Sequence, residues 1–274
     1  MQIETVMSYM PGLYKMLLLQ SQKGTEMTLF EIFKKYVLSP EDVLNKSINS
    51  VLPPLTNPII IKRKFSLYVD KIGDMAFDIY LKTEQEAGRR AIKEYLATEV
   101  PAGASKDETI EVTAKHFREF DRFFLSLSQS RKPRAGGAFE DIIKMLFKRL
   151  KYPFQEQQVI NGKPDFLMPN RKHYDDSAMD CIIFTAKRTL RERWRQIVTE
   201  GTRGLGFYLA TIDDAVTEAQ LQEMSRNRIY LVMPAGIKRS IQHYLKANNV
   251  LSFEEFFMLH LDPAVRRWKK NGII

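Results

Sequence analysis

The chain has 274 residues, 44% of them hydrophobic, and a formal net charge of +9. That is enough apolar material for a sizeable core, and the surplus of Lys and Arg favours an anionic partner, polyphosphate or an acidic membrane surface, with a merely basic soluble protein as the plain alternative. A single cysteine, Cys181, excludes a disulfide framework and a cysteine-rich zinc site within one chain. Set in the apolar run of residues 181–184, it reads as a buried, inert thiol. No window nears the roughly 20 apolar residues of a membrane span, and the first residues lack the basic-then-apolar plan of a secretory signal, so a cytoplasmic protein without membrane attachment is expected.

Residues 1–19 carry apolar side chains at helical intervals, and after the polar break Gln20-Ser21-Gln22-Lys23-Gly24 another helix is expected from Thr28, where Glu31 completes a capping box. Ser39-Pro40-Glu41-Asp42 repeats the logic: Ser caps, Pro suits the first helical position, and the acids meet the positive end of the helix dipole. The N-terminal region is therefore predicted to be mainly helical. Pro53-Pro54 and Asn57-Pro58 punctuate the next stretch of chain. Residues 59–69 mix β-branched and aromatic side chains with Lys62, Arg63 and Lys64, which predicts a strand or hairpin arm with a basic surface. Such an arm suits unpaired bases and phosphates, although an ordinary strand with a solvated face fits equally well. Residues 84–97 predict a helix, and Pro101-Ala102-Gly103-Ala104-Ser105 marks a soft boundary between residues 1–105 and 106–274.

Between residues 109 and 127 the rings of Phe117, Phe120, Phe123 and Phe124 recur at helical steps, with His116 read as a surface residue of that helix. Residues 126–137 read as a basic loop, with Gln129, Arg131, Lys132 and Arg134 ahead of Gly136-Gly137, able to approach a phosphate backbone closely. It lacks the Gly-Lys-Ser/Thr ending of a Walker loop. An amphipathic helix is expected from Phe139. Farther on, residues 228–234 predict a buried strand stopped by Pro234, residues 237–247 a helix, residues 251–261 a return to the sheet, and Asp262-Pro263 the start of a last short helix. Strands alternating with helices imply α/β layering with helices on the sheet faces.

The chemistry is concentrated between Asp165 and Glu200. Hydrolysing a phosphodiester near neutral pH calls for a cation that stabilises developing charge and supplies hydroxide, and magnesium takes carboxylate oxygens and water. Asp165 and Glu200 are suitable ligands. Pro164 ends a turn and Phe166-Leu167-Met168 enters apolar structure, so Asp165 is expected at the lip of a sheet. Lys187 ends the apolar run of residues 181–186 and, half desolvated there, can orient a water or steady a phosphate oxygen; a strand-end Lys snorkelling to solvent is the alternative. A helix is expected over residues 191–200, from which Glu200 can point back toward the strand end. Arg188, Arg191, Arg193 and Arg195 crowd in or near its start, where the dipole disfavours cations unless an anion is placed there. With Arg131, Lys132 and Arg134, Arg188 and Arg195 are candidates for DNA backbone contacts. Arg matches guanine O6 and N7, and Glu accepts from the cytosine amino group, so Arg191-Glu192-Arg193 suits the reading of G·C pairs. An ion-paired surface helix bridged by Glu192 accounts for the same composition.

These residues resemble the restriction endonucleases that recognise CC-GG sites with a central base or base pair, the SsoII, PspGI and EcoRII catalytic-domain group. The resemblance rests on Pro164-Asp165, on Lys187 and Glu200 with the second acid on the helix after the Lys, on the run from Lys187 to Gln196, which looks most like the PspGI branch, and on Ser130-Arg131-Lys132 through Gly136 to Glu140. It covers residues 126–201. It implies a PD-(D/E)XK nuclease fold, a mixed β-sheet flanked by helices with a mainly helical N-terminal region. Residues 1–105 would clasp DNA and carry the basic arm, residues 106–274 would form the catalytic core, and the two could make one compact domain. The implied activity is that of a homodimer cleaving double-stranded DNA with magnesium at a near-palindromic site, CCWGG ahead of CCNGG, and leaving 5′ overhangs.

Carried over by position, the resemblance implies Asp165 and Glu200 as metal ligands, Lys187 as the catalytic lysine and Glu140 as the supporting acid of the first core helix. Arg191, Glu192 and Arg193 would read C·G pairs, and Gln129 an outer pair. The group also flips the central bases, which needs an aromatic or apolar sandwich; Phe65 and Phe77 are the candidates. One departure is plain: Thr185, two residues before Lys187, stands where most of the wider superfamily carries Asp or Glu, and Glu200 is expected to substitute for it. A structure-selective PD-(D/E)XK nuclease would use Asp165 and Lys187 similarly without the Arg-Glu-Arg reader. A non-catalytic DNA-binding module would keep the basic patches and dispense with the metal site.

Overall fold

The computed structural model describes residues 27–160, 162–190 and 207–274, the side chains of residues 132–137 excepted. These form two compact units. The first comprises residues 27–37 and Thr83–Leu127, the second Leu38–Lys82 and Ser128–Ile274.

In the first unit, helix α1 (Leu29–Tyr36) starts at Thr28, whose hydroxyl accepts from the Glu31 N–H while Glu31 accepts from the Thr28 N–H, the reciprocal cap expected from the sequence. Helix α2 (Pro40–Val51), capped by Ser39, and helix α3 (Pro58–Arg63) belong to the second unit, and the long helix α4 (Phe65–Glu99) contributes to both. A turn with Gly103 at φ +81° leads to α5 (Lys106–Lys115), which has its own capping box at Ser105. The chain re-enters helix at α6 (Phe117–Arg149). The core of this unit joins Leu29, Phe33, Ala87, Ala91, Phe123 and Leu127. Ala87 and Ala91, one turn apart on α4, leave room for the rings, and Phe33 meets Phe123 edge-on at 5.7 Å.

The second unit is built on a six-stranded mixed sheet in the order β1 (Gln155–Glu156), β2 (Phe166–Met168), β3 (Ile182–Ala186), β4 (Phe207–Ala210), β5 (Ile229–Met233) and β6 (Val250–Ser252). The first three strands pair antiparallel and β3 to β6 pair parallel. Parallel strands carry helices on both faces, so their residues are buried on both sides. Alternation sends Phe166, Ile182, Phe184 and Tyr208 into a layer with Phe65, Phe139, Phe147 and Trp268. Leu167, Ile183, Phe207 and Leu231 enter the opposite layer, beneath Tyr174 of α7 (Arg171–Ser177) and Leu221 of α8 (Glu218–Arg226). Phe147 anchors the first layer, its ring centroid within 6.3 Å of Phe65, Tyr152, Phe154, Phe166, Phe184 and Phe257. Cys181 is buried, and burial pushes its thiol up to about 12, as an inert core residue requires.

Several local expectations are corrected. Residues 59–69 are helical and not a strand or arm: Asn57 caps α3 through its side chain, Pro58 occupies the first turn, and Ile61, Phe65, Val69 and Ile72 bury at steps of three and four. Residues 126–137 are not a loop but part of α6, where the buried residues Phe123 and Leu127 on one side and Phe139, Ile142 and Ile143 on the other hold the helix through a Pro and two Gly. His116 is half-buried at the junction of α5 and α6, its Nε2 3.0 Å from Glu99 and its ring against Tyr95. The expected helix over residues 237–247 divides at Ile241 into α9 (Ala235–Ser240) and α10 (Gln242–Lys246). The return to the sheet stops at Ser252, whose capping box with Glu255 starts α11 (Phe253–Phe256); a π-helical turn (Phe257–Leu261) then leads into α12 (Asp262–Lys270). None of the described helices is long and apolar enough to cross a membrane.

Candidate active site

Antiparallel pairing of β2 with β3 puts the start of one beside the end of the other, and this is what brings Asp165 and Lys187 together. The register sets Phe166 opposite Phe184, so Asp165, one residue earlier, falls beside Thr185, and its N–H donates to the Thr185 hydroxyl at 3.4 Å. Asp165 is only 4% exposed. A carboxyl group at such a place needs polar partners, and it has them: the Ala186 N–H donates to Oδ2 at 2.8 Å, and the Lys187 ammonium lies 3.1 Å from Oδ2 and 3.4 Å from Oδ1. Lys187 is one residue beyond β3, and its N–H donates to the Ala210 carbonyl, extending the parallel ladder with β4. Its side chain remains 34% exposed, so the ammonium is anchored on Asp165 and still open to a ligand.

Glu140 approaches from α6. Burial and then the Asp165 charge push its carboxyl above the usual range, with Lys187 offsetting part of that. One turn along α6, Lys144 bonds Glu156 of β1 at 2.6 Å, which fastens the helix to the edge strand. Gln157, next after β1, donates from its amide to Asp165 Oδ1 at 3.2 Å and reaches Glu140 Oε1 at 3.5 Å. Beyond Lys187 the exit loop is fixed by Asp213, which accepts from the Leu190 N–H, and by the Thr211 hydroxyl, which donates to the Arg188 carbonyl.

The structure thus gathers Asp165, Lys187 and Glu140. Glu200, Arg191, Glu192, Arg193 and Arg195 lie outside the described residues, as do the side chains of Lys132 and Arg134. Gln129 and Arg131 are exposed on α6, and Arg188 is exposed just past Lys187. Phe65 is not a base-stacking residue: it is 0% exposed, packed against Phe147, Phe253 and Phe257 in the core. Phe77, 60% exposed on α4, is free of that objection. Gln157 and Asp213 went unmarked in the sequence, because a Gln after a two-residue strand and an Asp in a loop carry no local signal.

A mixed sheet flanked by helices, with an acid before one strand and a Lys after its antiparallel neighbour, is the PD-(D/E)XK nuclease fold. Comparison with known proteins agrees: the EcoRII C-terminal family profile matches residues 100–257, and the chain belongs to that family. Over 158 residues it is 32% identical to the type II restriction enzyme SsoII of Shigella sonnei, the match taking in 53% of this chain and 50% of that one. Over 148 residues it is 30% identical to the type II restriction enzyme EcoRII of Escherichia coli, covering 50% and 36%. The chain therefore matches about half the length of one curated relative and about a third of the other. Among solved structures, metal-depleted Ecl18kI in complex with uncleaved, modified DNA superposes with a TM-score of 0.73 at 25% identity, covering 89% of this chain and 86% of that one. The PspGI–substrate DNA complex gives 0.60 at 20% identity, covering 89% and 98%. At that identity the PspGI likeness is one of fold, and the nearness implied by the run after Lys187 does not extend along the chain.

Proposed function

We propose that this chain is a type II restriction endonuclease, cleaving double-stranded DNA as a homodimer at a short CC-GG site with a central base pair, CCWGG, and leaving 5′ overhangs. One observation carries the reading: a nearly buried Asp165 carboxylate, cradled by Lys187 and the Ala186 N–H beside Glu140, in a member of the EcoRII C-terminal family. The SsoII and EcoRII relatives are restriction enzymes, and the Ecl18kI and PspGI structures are DNA complexes, which supports the substrate class. A cytoplasmic place in a prokaryotic cell fits such an enzyme.

The donor set fits magnesium. Asp165 and Glu140 are hard oxygen donors joined through one amide, and a positive charge between them would relieve the Asp165 repulsion that adds to burial in raising Glu140. Among the described residues no three acids, histidines or cysteines are placed to hold a metal ion together, and Glu200, the third candidate ligand, lies outside them. Magnesium, when bound, stabilises charge developing on the scissile phosphate and eases deprotonation of the attacking water. Asp165 and Glu140 would hold it, with Lys187 turned to a phosphate oxygen or the attacking water. Arg191, Glu192 and Arg193 would read the C·G pairs and Gln129 an outer pair. Arg131, Lys132, Arg134, Arg188 and Arg195 would bear on phosphates, and Phe77 is the remaining candidate to stack on a flipped base.

Plasmid DNA incubated with the protein and magnesium should give discrete fragments whose sequenced ends carry 5′ overhangs at CCWGG. A smear, branch-dependent cutting or intact plasmid counts against the proposal. Asp165→Ala and Lys187→Ala should abolish cleavage while cognate binding persists. Arg193→Ala should cost about 1–3 kcal/mol of cognate affinity with little change in nonspecific affinity, and equal losses would make it a phosphate contact.

A further inference from the structure

Gln157 sits where an ordinary turn residue would not. Its main-chain N–H donates to the Asp165 carbonyl at 3.3 Å, continuing the β1–β2 ladder, yet its φ is +54°, in the left-handed region that non-glycine residues rarely adopt. That conformation carries its amide to both acids, 3.2 Å from Asp165 Oδ1 and 3.5 Å from Glu140 Oε1. The NH2 end of the amide faces both acids, with one hydrogen for each. Among the described residues no other side chain is hydrogen-bonded to both. The Lys144–Glu156 ion pair fastens the strand immediately before it to the helix that carries Glu140.

An amide has a second face. Rotation about its terminal torsion exchanges two N–H donors for a carbonyl oxygen, and Gln carbonyls are ordinary ligands of hard cations. Building on the reading of Asp165 and Glu140 as cation ligands, we propose that Gln157 positions the cation centre, its N–H groups holding the two carboxylates together before the cation binds and its amide oxygen turning to the cation afterwards. The acids then need no rearrangement of β2 or α6 to accept an ion, because a neutral group has kept their spacing.

The test uses the intact chain and Mn2+ as probe, following loss of the free-ion EPR signal without DNA and without turnover. Asp165→Asn identifies which Mn2+ belongs to this centre. Gln157→Gly relaxes the backbone at φ +54° and removes the amide, so it should melt no lower than wild type while binding that Mn2+ roughly 10-fold or more weakly. Gln157→Glu keeps an oxygen ligand and loses the donors. It should bind Mn2+ at least as tightly as wild type, but the cation-free protein should melt lower, with three carboxylates crowded. If Asp165→Asn removes a Mn2+ that both Gln157 variants bind as wild type does, Gln157 is a turn residue and the inference is overturned while the centre stands. If wild type binds no Mn2+ that depends on Asp165, the reading of the centre falls and this inference with it.

Discussion

An acid buried as deeply as Asp165 needs polar partners, and Lys187 and the Ala186 N–H supply them. Lys187→Ala should therefore weaken the fold as well as the chemistry, by about 1–3 kcal/mol in urea denaturation, since it leaves the carboxylate short of a donor. Glu140 works in the opposite direction. Its carboxyl is raised in the folded protein, so what it contributes to stability is full below its ordinary value of about 4.5 and is lost as the pH rises through the raised folded value. Glu140→Gln should then raise the melting temperature of the metal-free protein at neutral pH, with the gain vanishing near pH 4; an equal gain at both would deny the charge effect. Asp165 and Lys187 were legible in the sequence because each stands beside an apolar run. Thr185, read there only as a departure from the common pattern, supplies the hydroxyl that accepts from the Asp165 N–H.

For the elements, the sharpest lesson lies in residues 59–69, where β-branched and aromatic side chains read as a strand and fold as α3 and the first turn of α4. Strand composition there was outweighed by spacing: Ile61 of α3 and Phe65, Val69 and Ile72 of α4 all bury, at steps of three and four. Phe65→Ala should cost about 3–5 kcal/mol of folding stability in denaturant titration and leave DNA affinity per folded molecule unchanged. Phe77→Ala should change stability by less than about 0.5 kcal/mol. If Phe77 stacks on a flipped base, the fluorescence of 2-aminopurine at the central position of the bound site should change in that variant and not in a neighbouring exposed substitution. The capping boxes at Thr28, Ser105 and Thr217 are the elements' most local features, and replacing any of these residues with Ala should cost about 1 kcal/mol.

At the scale of the whole molecule, the +9 charge predicts that the logarithm of DNA affinity falls linearly with the logarithm of salt concentration, and a flat dependence would remove phosphate contacts as the main attraction. Sedimentation should give twice the mass of one chain if the proposed dimer is right. The amino-acid order by itself determined the caps at Thr28 and Ser39, the α/β alternation, the inert cysteine and the candidacy of Asp165 and Lys187, each beside its own apolar run. Each is settled by residues within a few positions of one another or by plain composition. Tertiary structure alone decided that residues 126–137 continue a helix, that Phe65 is core, and that Lys187, Glu140 and Gln157 are gathered at Asp165. Those outcomes depend on strand register and on burial against partners far along the chain, where hydrophobic packing outweighs local propensity and no short pattern records the result.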